Sequence, residues 1–80
     1  MTIEIIMKKT GRGFPLGLFK DRYGEECSIQ DSSLAFEDAI WLGVDSVPEG
    51  GGRMHLTKSH VRSLLPILEY FVEHGTIEHE

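Results

Sequence analysis

Cysteine is nearly missing from this chain, Cys27 being the only one. An intramolecular disulfide is therefore excluded, which suits a reducing cytoplasm. Neither a CxxC nor an HxxxH spacing occurs, so the usual frame for a structural zinc ion is absent too. His60 and His74 stand about 21 Å apart if they share one helix, too far to hold a common ion. Long hydrophobic runs are also lacking, and nothing approaches the roughly 20 apolar residues that span a bilayer. In the opening MTIEIIMKK, Glu4 interrupts the apolar residues and the lysines follow them, the reverse of a secretory signal. Basic residues are outnumbered, with 8 Lys and Arg against 13 Asp and Glu and a net charge of −5. That balance excludes the basic stripe of a non-specific nucleic-acid binder. There is no GxSxG, HExxH, P-loop or GxGxxG, so no recognisable catalytic machinery and no cofactor is expected.

What is present is one small domain spanning residues 1–80, and 40% of those residues are hydrophobic. A chain of this length buries only about 60% of its unfolded surface. A thin core and open sheet edges both favour pairing between copies, so a homo-oligomer is expected.

Residues Thr2 to Lys9 alternate partially. Ile3, Ile5 and Met7 fall on one face of a strand, and Glu4, Ile6 and Lys8 on the other. Gly11-Arg12-Gly13 turns the chain, Leu16 to Asp21 supplies a second strand, and Gly24 serves a second turn. Cys27 to Ser32 reads as a third strand. Residues Ser33 to Asp38 fit either a loop or a single helical turn. Ala39 to Val44 reads as a buried fourth strand, with Trp41 in the core. Residues 45–52 contain a proline and three consecutive glycines and read as a flexible loop. Arg53 to Leu56 fits a brief extended segment. A C-terminal helix opens on Thr57 as N-cap and closes at Gly75. Val61, Leu64, Leu65, Leu68, Phe71 and Val72 repeat along one of its faces, and Pro66 within it should bend it. The fold class is α+β: a small, mostly antiparallel sheet of four to five strands packed by one C-terminal α-helix.

Two groups stand out as binding candidates. On the third strand Ser28, Gln30 and Ser32, continued by Ser33, form a comb of short polar side chains. That comb either meets solvent or walls a pocket. Arg53 and His55, followed by Thr57 and the free amides of the helix start, favour an anion such as phosphate or carboxylate. Tyr23 and Phe14 sit at turns, where aromatics often serve an interface.

Three boxes carry a resemblance: CSIQDSSLA from Cys27 to Ala35, IWLG from Ile40 to Gly43, and RMHLT from Arg53 to Thr57. They resemble a family of small proteins encoded by bacteriophages and prophages, though the link at residues 45–52 is shorter here than in longer relatives. The resemblance implies a non-catalytic binding protein acting in the host bacterial cytoplasm, as a host-takeover or counter-defence factor. Its expected partner is a small anionic ligand such as a nucleotide signal, or alternatively a host protein that it blocks.

Overall fold

The computed structural model describes residues 3–45 and 53–78. The expected loop at 46–52 lies outside the described residues. The chain is α+β. Strands β1 (Ile6–Lys9), β2 (Pro15–Lys20), β3 (Glu26–Asp31) and β4 (Ile40–Val44) are followed by helix α1 (Lys58–His74). The strands form one antiparallel meander in the order β1-β2-β3-β4. Residues 33–38 form a loop, and Pro15 sits at the first position of its strand, where its missing donor is tolerated.

Alternation divides the sheet into two unlike faces. Phe19, Cys27 and Ile29 point inward and are buried with Leu64 of the helix and Ile77 beyond it. Ile3, Ile5, Ile40, Val44, Met54, Leu56, Ile67, Leu68 and Phe71 pack around them. Gly17 lies opposite Ile29, and a Cβ there would stand 3.0 Å from the Ile29 Cγ2. Its missing side chain is what lets Ile29, Ile5 and Met7 crowd over this strand.

The helix follows local rules at both ends. Thr57 Oγ1 accepts the His60 N–H, and the Thr57 N–H donates to His60 Nδ1 at 3.1 Å, a capping box with histidine in the acidic position. Gly75 adopts φ 74° and donates its N–H to the Phe71 carbonyl. The helix runs unbroken through Pro66.

Its buried face differs from the expected one. His60 and Leu64 are buried, whereas Val61, Leu65 and Val72 are exposed. Polar contacts set this rotation. An Nδ1 that accepts from Thr57 leaves the proton on His60 Nε2, which donates to the Lys20 carbonyl at 2.8 Å. One turn on, Ser63 Oγ accepts the Ile3 N–H at 2.8 Å.

Two buried or half-buried carboxylates close the remaining gaps. Asp31 accepts from the Thr76 hydroxyl and the Ile77 N–H, folding the chain end back under the sheet. Asp21 accepts the N–H groups of Tyr23 and Glu25 through Oδ1 and that of His55 through Oδ2. The Arg22 N–H returns a bond to the His55 carbonyl. The 53–57 segment is thereby tied to the β2–β3 turn. The donated hydrogen bonds, that from His55 first, hold the Asp21 carboxyl below its ordinary pKa against the opposing effect of burial.

Two outcomes follow. At Gly75 a side chain meets both a left-handed backbone and the Asp38 carboxylate. Gly75→Ala should therefore cost about 1–2 kcal/mol in chemical denaturation. A lowered carboxylate pKa stabilises the fold above the unfolded value and ceases to do so as pH falls through the folded one. Asp21→Asn should accordingly lower the melting midpoint at neutral pH, and its difference from wild type should shrink below about pH 3.9.

Candidate functional site

No described element packs on the outer face of the sheet. Two cross-strand rows lie there. One is Ile6, Leu18, Ser28 and Gly43; the other is Lys8, Leu16, Gln30 and Trp41. Residues paired across antiparallel strands share a face, so the second row runs from a lysine at one edge to a tryptophan at the other. Trp41 is 68% exposed. The expectation that β4 is a buried strand with Trp41 in the core is thus overturned. β4 is an edge strand, and its alternation sends Ile40 and Val44 inward but Trp41 outward.

Trp41 divides two grooves. One, of about 470 Å³, is lined by residues 32–36 together with Ala39 and Ile40. Leu34 stands at its rim, and Phe36 is 100% exposed. The other, of about 320 Å³, is lined by Thr10, Gly11, Arg12, Phe14, Gln30 and Ser33. The Arg12 guanidinium lies 5.8 Å from the centre of the Phe14 ring, a cation–π geometry that presents charge beside the aromatic rim. The groove is lined by a cation and no carboxylate, on a protein that is acidic as a whole.

The residues expected to bind do not gather into one site. Gln30 and Ser33 line the Arg12 groove, and Ser32 and Ser33 the Phe36 groove. The Ser32 hydroxyl accepts the Leu34 N–H, which shapes the loop. Ser28, further along β3, donates instead to Asp45 Oδ1 at 2.7 Å. Arg53, His55 and Thr57 lie beyond the other end of β3, tied to the β2–β3 turn through Asp21 and Arg22. Six strand residues separate the two ends, about 20 Å at strand rise.

That second end holds a cleft of about 740 Å³. Its lining includes Thr57 and His60 with the cations Lys20 and Arg22, but also the carboxylates Glu4, Asp21, Glu26 and Asp45. The helix start beside it is capped by its own Thr57 and His60. His55 faces Tyr23, with ring centroids 4.8 Å apart. Cys27 lines the cleft yet is almost wholly buried, and burial first, then the nearby Asp21 and Asp45, push its thiol pKa upward. Among the described residues, no three His, Cys, Asp or Glu side chains converge in a metal-holding group. None of the described helices is long and apolar enough to cross a membrane.

Sequence reasoning placed Trp41 in the core and did not single out Phe36 or Leu34. A usable signal existed for Trp41: strict alternation in Ile40-Trp41-Leu42-Gly43-Val44 places Trp41 and Gly43 together, opposite the more uniformly apolar set. No protein-family model, curated protein or solved structure matches the chain.

Trp41 is the only tryptophan, so its emission reports this surface alone. In dilute solution, where each chain is on its own, the protein should emit at the long wavelength of a solvated indole and be quenched freely by iodide. Blue-shifted emission shielded from iodide would show instead that the ring is covered.

Proposed function

We propose that this chain is a non-catalytic protein-binding module whose recognition surface is the Trp41 end of the open sheet face. The partner it fits is a protein segment with an apolar or aromatic anchor for the Phe36 groove and a carboxylate placed to meet Arg12. One observation carries this reading: Trp41, Phe36 and Leu34 are all exposed at one end of a face that no described element covers. A monomeric protein leaves few such clusters bare, and tryptophan and arginine dominate the energetics of interfaces. The phage-protein resemblance directs the proposal to a host protein that is bound stoichiometrically and so blocked.

An anionic ligand at Arg53, His55 and Thr57 has weaker support. The neighbouring cleft carries the carboxylates of Glu4, Asp21, Glu26 and Asp45, which repel an anion. Ser28, Gln30, Ser32 and Ser33 lie outside that cleft.

The test is affinity capture from bacterial host lysate, followed by purification of the captured protein and titration against variants. Phe36→Ala and Trp41→Ala should each weaken binding about 30-fold, the effect of a 2 kcal/mol hot spot. Arg12→Glu should weaken it, and Arg53→Ala should leave it unchanged. Equal affinity across all four variants would overturn the proposal. So would a melting shift with nucleotides that is abolished by Arg53→Ala.

A further inference from the structure

Among the described residues no strand pairs with the outer side of β1 or β4, and these two edges are unlike. β1 carries Lys8 and Lys9, charges of the kind that discourage strand addition. β4 reads Ile40-Trp41-Leu42-Gly43-Val44, with no charge and no proline.

The hydrogen-bond pattern of β4 settles which of its groups face outward. The Ser32 N–H donates to the Ala39 carbonyl, and the Asp45 N–H to the Glu26 carbonyl. Bonded and non-bonded pairs alternate along an antiparallel ladder, so Ala39, Trp41, Gly43 and Asp45 turn their backbone groups toward β3. The N–H and C=O groups of Ile40, Leu42 and Val44 therefore point away from the sheet.

These outward groups are symmetric about Leu42. We propose that two copies of this chain pair antiparallel through β4, on a two-fold axis at Leu42, and join their sheets into one. Leu42 then exchanges backbone bonds with Leu42 of the second copy, and Ile40 with its Val44, about six bonds in all. Trp41 falls opposite Gly43 of the second copy as a non-bonded pair, in which side chains approach most closely. Nothing lies within 4 Å of where a Gly43 Cβ would stand, so the indole has room to cover that glycine. The Leu42 side chains meet on the helix side. Like charges are kept apart, because Asp45 falls opposite Ala39. The pairing rests on the β4 backbone, not on the Phe36 and Arg12 grooves, so it stands or falls independently of the partner proposed above.

Size-exclusion chromatography with light scattering should read twice the 9.0 kDa chain mass at micromolar concentration. The Ile40, Leu42 and Val44 amide protons should exchange slowly in the dimer and lose protection on dilution. Leu42→Pro removes an outward donor while leaving the β3 ladder whole, and it should give a monomer with wild-type far-UV circular dichroism. Gly43→Lys, which fills the space meant for Trp41 of the second copy, should also be monomeric and covers the case in which Leu42→Pro fails to fold. A monomeric wild type overturns the proposal, as does a folded Gly43→Lys variant that stays dimeric. A dimer that is lost in Leu65→Ser but kept in Gly43→Lys would place the contact on the exposed helix stripe and overturn it equally.

Discussion

A single helix can cover only one face of a sheet. α1 has 17 residues, about 25 Å of helix, and the described residues hold no second long element to lay on the other side. The largest fully buried side chains among the described residues therefore lie between the sheet and this helix: Ile29 and Cys27 from β3, and Ile77 from the returning chain end. The outer face is left with Ile6, Leu16, Leu18 and Trp41, too apolar to be indifferent to water. The binding surface is a consequence of that arithmetic of layers. A chain of this size buries only about 60% of its unfolded surface, so little is left over to cover a second face.

The thin core places unusual weight on polar side chains that bond to distant backbone. Asp21 holds the 53–57 segment, His60 holds the helix start to the end of β2, Ser63 holds the segment that leads into β1 at Ile3, and Asp31 holds the chain end. Each satisfies a backbone group that would otherwise be stranded at an element end. Together they fix the rotation of the helix, and with it which apolar residues are hidden. Val61, Leu65 and Val72 are exposed because His60 and Ser63 claim the side turned to the sheet. The polar ends of the molecule are thus occupied by its own scaffolding, whereas the Trp41 end has aromatic and cationic groups to spare.

The two surfaces argued from this arrangement meet at Trp41. Pairing through β4 uses backbone groups and lays one edge of the indole over the Gly43 space, and it leaves Phe36, Leu34 and Arg12 at the periphery. A joined sheet would present two copies of the grooves on one continuous face.

The linear chain by itself determined the elements. β2, β3 and β4 were legible to within a residue at their ends, β1 only at its Lys9 end because the strand begins at Ile6, and Thr57 and Gly75 were identifiable as the helix caps. Alternation, turn residues and caps depend on neighbours a few positions away, so they can be read without knowing the fold. The polar side chains of Gln30, Ser32 and Ser33 also stood out in the sequence, and in the fold they border grooves. Only the tertiary structure decided which faces were covered. The apolar run at Ile40–Val44 has the same composition whether the strand is central or at an edge, and its position at the edge follows from the strand order. The roles of Asp21, His60 and Asp31 depend on partners 34, 40 and 46 positions away. No local pattern encodes such pairings, because they exist only once the helix has closed over the sheet.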